Sequence, residues 1–502
     1  VNADATESSK KSTSIFYAAV ACEALVLCGL VVSAWDCRFA VARHVLFYVA
    51  TAAPFAVALF AASSAKLPGL WGVLLLSAGL RIIALTGPVL LSDDIYRYVW
   101  DGRVNLAGFD PYAHPPAAEE LSALRDDTWN SINHPELRTI YPAGAQAIFL
   151  SLAWLGPHPK VFRVAMGLFD LGVVAFVFLL AVRRAPIDAS WEARNHRAGK
   201  AALTYGLCPL ACVESAMSGH LDSAALLAFL GALALLPPKQ KNGFWSGAML
   251  GMGAAIKLAP ALLLPVLARR RWSLWLGFGL TVTLCYLPFA FSGAAAFETL
   301  DAFARKWEAN AGPFALAKLG FEKVIAVATG ASSTQDMVHL RFLDSAAQAL
   351  DPTFFSLHKD GPMDPLRPGA FPVSDLALAC AKLLGVLVLV VVYAKAWQRR
   401  ECPLESAYLV LGALVLVSPV LHPWYVLWVL PVAAVRGSYP WFAFAAAVPL
   451  GYLPLKSWWT MGVWREPAWS LGVQTGVLLA AYGFDVLSRK KRVGVRCKKN
   501  AS

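Results

Sequence analysis

Apolar runs of roughly 20 residues, the length a helix needs to cross a hydrocarbon core, recur along the chain between short polar connections. They predict spans near 15–35, 43–63, 68–91, 160–182, 200–217, 222–237, 272–291, 374–397, 404–419, 424–436, 439–455 and 467–487. Two further apolar segments, 141–157 and 244–267, break the alternation. If both crossed fully, Arg183, Arg184, Arg194, Arg197 and Lys200 would lie opposite the other basic connections, against the usual charge asymmetry. The consistent reading places 141–157 in or dipping into the outer leaflet. It makes 244–267 a re-entrant hairpin broken near Lys257, Pro260 and Pro265. The expected fold is an all-α polytopic membrane bundle of about 12 crossings, with juxtamembrane helices in its outer loops.

Two long polar stretches, 92–140 and 292–373, must then share the outer face. The first carries nine acidic and four basic residues, which suits the side away from the basic loops. Residues 1–14 become a cytoplasmic tail, 15–487 a single transmembrane module and 488–502 a basic cytoplasmic tail. The run from Ile15 lacks a small-residue cleavage site and is read as a retained span.

Composition excludes a soluble domain: 58% of residues are hydrophobic, 15% are charged and the mean hydropathy is +0.55. The net charge of +12 sits in short connections beside apolar runs, such as Arg269-Arg270-Arg271 and Arg399-Arg400. It reads as membrane anchoring rather than nucleic-acid binding. Neither long loop contains any of the nine cysteines, so no disulfide framework is expected. Nucleotide-cradling, zinc and nucleophile-elbow motifs are missing from the sequence. A transferase built this way needs a lipid-linked donor.

The polar positions that interrupt the apolar pattern carry the candidate chemistry. Ser92-Asp93-Asp94 ends an apolar run and opens the first long loop. Ser92 is placed to cap a helix with both aspartates in its first turn, where the helix dipole favours their charged forms. Asp93, Arg97 and Asp101 follow at one-turn spacing on one face. They suit either a carboxylate aimed into a cleft as a general base or a cap with a juxtamembrane salt bridge. Glu214 to Asp222 forms a second polar island, in which His220 and Asp222 either bind a polar ligand or close a tight loop. Lys257 lies inside an apolar segment and needs a partner, for which a phosphate is natural, or else snorkels to the interface. Tyr112 and Tyr141 lie among turn signals and suit sugar stacking or interface anchoring. His422 lies between two spans, with Trp424 and Tyr425 after it.

Together these blocks resemble the polytopic GT-C glycosyltransferases, and within them the bacterial polyprenyl-phosphate-mannose-dependent mannosyltransferases. The likeness rests first on Ser92-Asp93-Asp94-Ile95-Tyr96-Arg97-Tyr98-Val99-Trp100-Asp101-Gly102-Arg103. Pro111-Tyr112, Asn133-His134 and Tyr141-Pro142 follow, then Ser218 to Asp222, Ile256 to Pro260, Trp307 with Asn310, and His422-Pro423-Trp424-Tyr425. The chain departs from the pattern at Asp110 (usually Asn), Ala143 (usually Pro) and Leu221 (usually polar).

The resemblance implies an inverting transfer of a sugar, mannose first, from a polyprenyl phosphate to a hydroxyl of a glycan, glycolipid or protein. The site would face outward from a bacterial inner membrane. Asp93 is the implied base, assisted by Asp94. The implied substrate-binding residues are Arg97, Asp101, Arg103, Tyr112, His134, Tyr141, His220, Asp222, Lys257, Trp307, Asn310, His422 and Trp424. No cofactor or metal is expected, because phosphate is already a good leaving group. A polytopic transporter or flippase is the alternative, weakened by the lack of a two-half repeat.

Overall fold

The computed structural model describes residues 3–35, 37–186, 188–236, 242–269, 271–293, 295–339, 370–398 and 402–499. These are overwhelmingly helical. Among the described residues the extended elements are a two-stranded antiparallel ribbon, Met337–His339 with Ala370–Pro372, and a bridge between Ala309 and Val420, and turns and loops join the helices.

Six helices are long and apolar enough to cross a membrane alone: Thr6–Ala34, Ala40–Ala61, Pro159–Arg184, Trp272–Ser292, Val373–Gln398 and Ala468–Ser488. The chain is thus a multi-pass membrane protein. The first helix starts at Ala3, well before Ile15. Several other expected spans take a different form. The 200–217 run divides at Leu207–Cys208 into Trp191–Gly206 and a short helix, Pro209–Met217. That short helix meets Asp222–Leu235 at a bend of 119°, so the two make one broken unit instead of two crossings. The 68–91, 404–419, 424–436 and 439–455 runs become Leu70–Leu85, Pro403–Val417, Pro423–Arg436 and Pro440–Ala447 with its 3-10 extension. Prolines explain much of this: Pro209, Pro403, Pro423, Pro431, Pro440 and Pro449 each stand in a first helical turn, where a missing N–H costs nothing, and so restart the helix.

The 244–267 run behaves as expected. Phe244–Ile256 ends at Lys257, and Ala259–Leu263 and Leu264–Ala268 follow. Gly247 packs against the backbone of Leu274 and Gly251 against that of Phe278, approaches that a Cβ would block. The two contacts advance together, so Phe244–Ile256 and Trp272–Tyr286 run parallel. The chain between them must double back, and Pro260 does lie against Gly253.

The bundle has two chemically distinct ends. At one, Glu405 accepts from Arg184 at 2.7 Å and from Arg436 at 2.8 Å, and Arg269 lies 4.1 Å over Trp397. At the other, the two long loops meet: Arg138 pairs with Glu298, Ser292 donates to Asp110, and the His134 and Trp307 rings stand 5.3 Å apart. The two loops therefore share one end, as expected. The Pro159–Arg184 helix measures the separation. Its Arg163 touches the Ala216 carbonyl near the loop end, and its Arg184 lies at the basic end, roughly 30 Å away at 1.5 Å per residue.

Candidate active site

The helix Asp94–Leu106 carries the first group of polar residues. It rests on Ala143–Leu155, which at 13 residues is too short to cross alone. Tyr98 stacks on Phe149 at 4.8 Å, and Gly102 lies against the Phe149 carbonyl where no Cβ fits. The run expected to lie at the outer leaflet thus serves as the floor of the candidate site. The helix begins one residue later than its sequence suggests. Asp93 takes the N-cap position, and the Asp94 N–H donates to Ser92 Oγ at 3.3 Å.

That offset turns the two aspartates in different directions. Asp93 accepts from Asn133 Nδ2 at 2.7 Å. Burial first, and then the neighbouring Asp94 charge, push its carboxyl up to about 6. Asp94 Oδ2 lies 3.6 Å from His220 Nδ1 and 3.5 Å from the Tyr98 hydroxyl. Burial works against its charge, but His220, His422 and Lys257 outweigh it and hold Asp94 below the usual carboxylate range. One carboxylate stays ionised while its neighbour is tuned near neutrality, a separation typical of paired acid–base groups.

Arg97 does not bridge to Asp93, because the reoriented aspartate has turned to Asn133. Its Nε donates to Asp101 at 2.8 Å, and Nη2 has no hydrogen-bond partner among the described residues. Asp101 is buried and also accepts from Thr139 and from Gln146, the latter at 3.0 Å, so it braces the loop against the helix floor.

Behind Asp94 lies the second polar island. The chain bends at Gly219, whose φ of +78° and closeness to Ile95 and Arg163 demand glycine. The His220 ring then stacks on Trp424 at 3.8 Å, and Trp424 stacks on His422 at 4.4 Å on a nearly parallel plane. Glu214 Oε2 stands 3.3 Å from His220 Nε2. Lys257 is not an unpaired cation. Its Nζ donates to Asp222 Oδ2 at 2.6 Å and lies 5.2 Å from the Tyr425 ring centre, while Trp428 Nε1 donates to Asp222 Oδ1 at 2.7 Å. The break after Ile256 brings this lysine within charge reach of Asp94.

The remaining expected residues divide into rim and frame. His134 and Trp307 form a ring pair at the meeting of the two loops, and His134 acts on Asp93 electrostatically. Tyr141 packs edge-on to Tyr98 at 4.9 Å. Tyr112 is buried and donates to the Tyr141 carbonyl at 2.7 Å. Arg103 pairs with Asp126 at 2.7 Å. Asn310, at a φ of +48°, is buried and bonds to the Leu421 carbonyl and to Gln474, tying the second loop to the segment before His422.

Glu214, Tyr48, Tyr452, Tyr425 and Trp428 were not among the expected site residues. Glu214 alone left a usable signal, as a carboxylate beside an apolar run. The tyrosines and the tryptophan look like membrane aromatics until the fold shows that Tyr48, Tyr452 and Trp428 donate to buried carboxylates and that the Tyr425 ring lies beside Lys257.

The model of glycosyltransferase family 87 matches residues 139–419, more than half of the chain. The match includes Tyr141, His220, Asp222, Lys257, Trp307 and Asn310, whereas Asp93, Asp94, His422 and Trp424 lie outside it. Searches of curated proteins and of solved structures found no match.

Proposed function

Because the chain belongs to glycosyltransferase family 87 and is therefore a membrane glycosyltransferase, we propose that its donor is a polyprenyl-phosphate sugar, mannose first, and its acceptor a hydroxyl on the outer face. The observation that carries this reading is the convergence of Asp94, Lys257, His220 and His422 beside Asp93 at the loop end of the bundle. The basic connections at the far end favour an outward orientation under the positive-inside rule.

Asp93 takes the proton of the acceptor hydroxyl. The freed oxygen attacks the anomeric carbon from the face opposite the phosphate, so configuration inverts. A new carbon–oxygen bond forms as the bond to the phosphate oxygen breaks, and its electron pair leaves with polyprenyl phosphate. Charge on the departing phosphate is met by Lys257, with His422 and Arg97 as further donors. Lys257 now rests on Asp222, a partner that keeps it in place between turnovers. The leaving group is stable as an anion, so these side chains suffice and no metal or cofactor is assigned a role.

The test is incubation of the purified chain with labelled polyprenyl-phosphate-mannose and a panel of acceptors, followed by product mass analysis. A mannosylated product with inverted linkage supports the reading. Donor turnover that persists in both Asp93→Asn and Asp94→Asn rejects the base assignment. Transbilayer movement of intact donor, with no new glycoside, would favour the flippase alternative.

A further inference from the structure

Glu214 has no part in the transfer just described, yet it is wholly buried, with one oxygen hydrogen-bonded and the other facing the site without a hydrogen bond among the described residues. Tyr48, from the Ala40–Ala61 helix, and Tyr452 each donate to Oε1 at 2.9 Å. Oε2 faces His220 Nε2 at 3.3 Å. Across the same imidazole, Nδ1 faces Asp94 Oδ2 at 3.6 Å, and Trp424 covers the ring at 3.8 Å. We infer that Glu214 is a positioning residue for sugar transfer: acting through His220, it fixes the place and the charge of Asp94 beside Asp93.

A carboxylate does here what an amide would not. Two tyrosine hydroxyls could serve a glutamine oxygen equally well. Burying a full charge instead is costly unless another charge answers it. Oε2 has no hydrogen-bond partner among the described residues, and the charge that answers it is His220 at 3.3 Å. Neither ring nitrogen closes a hydrogen bond among the described residues, but each faces a carboxylate oxygen at ion-pair distance, and two flanking carboxylates favour the protonated ring. The groups facing His220 are Asp94 and Asp93 at the start of Asp94–Leu106, Glu214 from its own turn, and His422 ahead of Pro423. Lys257 acts on Asp94 and His422 from the end of Phe244–Ile256. The carboxylates touch the ring, whereas His422 is separated from it by Trp424. The positive ring keeps Asp94 anionic, and that anion, after burial, helps raise the Asp93 carboxyl to about 6, where it is ionised at neutral pH yet basic enough to take a proton. Tyr48 and Tyr452 come from elements far apart in sequence, so three parts of the bundle converge to hold one carboxylate.

This inference rests on the proposed roles of Asp93 and Asp94, so its test needs a readout free of the donor's identity. Histidine-selective nitrogen-15 labelling of the full chain in nanodiscs supplies one, with the His220 signal identified by its loss in His220→Gln. In the parent protein His220 should stay an imidazolium well above neutral pH. In Glu214→Gln it should titrate near its ordinary value of about 6.5. Kinetics with polyprenyl-phosphate-mannose and octyl α-mannoside supply the second arm. Glu214→Gln should lower kcat by on the order of 10²-fold with donor KM nearly unchanged, as for a displaced reacting group. It should also add a falling limb above pH 7, absent from the parent, where His220 loses its proton. A His220 titration that is the same in both proteins overturns the inference, as does an unaltered kcat and pH profile. If Asp93→Asn transfers sugar normally, the base assignment fails instead, whatever Glu214→Gln does to the histidine signal.

Discussion

Arg81 and Asp170 form a closed polar knot between the Leu70–Leu85 and Pro159–Arg184 helices, whereas Asp93 and Asp94 stand open at the end of the bundle. In the knot, Arg81 Nε donates to Asp170 at 2.8 Å, Nη2 donates to the same carboxylate, and Nη1 donates to the Ser77 and Gly206 carbonyls. Tyr205 donates to the second Asp170 oxygen, and the paired side chains are 2% and 0% exposed. At the open end, Asp94 and Lys257 retain 26% and 22% exposure, and Arg97 Nη2 has no hydrogen-bond partner among the described residues. Both regions contain charges that a membrane protein places only at a cost. What separates them is completeness: a charge whose every valence is used braces the fold, and one left partly unanswered where a ligand can reach it is available for chemistry.

The strongest challenge to that contrast is Asp93→Asn. Removing a general base should lower transfer by roughly 10²- to 10⁴-fold while the melting temperature barely changes. Activity assays beside thermal melts in detergent decide it, and a variant with normal turnover would make the open end as structural as the knot. Asp170→Ala should do the reverse. It strands Arg81 without its partner, and losing one member of a buried pair costs about 3–5 kcal/mol. Thermal unfolding and folded yield should fall sharply, with turnover per folded molecule preserved.

Much of this division could be read from the residues themselves. The Ser92 to Arg103 block marked the site, because carboxylates at the end of an apolar run need a reason to be there. The break at Lys257 followed from Pro260 and Pro265, and the shared end of the two long loops followed from charge asymmetry. Other parts were hidden. Hydropathy sums apolar length but does not show where a helix restarts, so 200–217 looked like one span although Pro209 divides it. Arg81 and Asp170 lie in separate runs, 89 positions apart, and no local pattern shows that they meet. Helical spacing paired Arg97 with either neighbour one turn away, and a one-residue shift in the helix start gave it to Asp101 instead of Asp93.

Lys257→Met tests the open end from the leaving-group side. Losing a cation aimed at developing negative charge should reduce kcat by about 10²-fold. It also leaves Asp222 with Trp428 alone, so the melting temperature should drop as well, and assays per folded molecule separate the two effects. A pH titration is gentler. Asp93 must be ionised to act, and its carboxyl is pushed up to about 6. The parent kcat/KM should therefore fall about tenfold per pH unit below that point and level off above it. The same raised carboxyl binds its proton more tightly in the folded chain than in the unfolded one. Its contribution to stability is therefore present below about pH 4 and is lost as pH rises towards 6. A flat rate between pH 5 and 7 would place the essential base elsewhere.

The smallest expected effect lies at Asp126, an acidic residue of the same loop that differs from Asp93 in nearly every physical respect. It pairs with Arg103 at 2.7 Å but is 44% exposed, and it accepts from the backbone N–H groups of Thr128 and Trp129 to start a short turn. The Arg103 contact holds its carboxyl below the usual range, so the sign is opposite to that of Asp93. What it contributes is present above about pH 4 and is lost as pH falls below that. An exposed pair of this kind is worth less than about 1 kcal/mol. Asp126→Asn keeps the turn's acceptor oxygen and removes only the charge, so thermal melts should barely register it and transfer should proceed at the parent rate. If transfer instead dropped, the Arg103–Asp126 pair would have to be holding the loop over Asp93, and exposure would no longer distinguish a solvated salt bridge from a working part of the site.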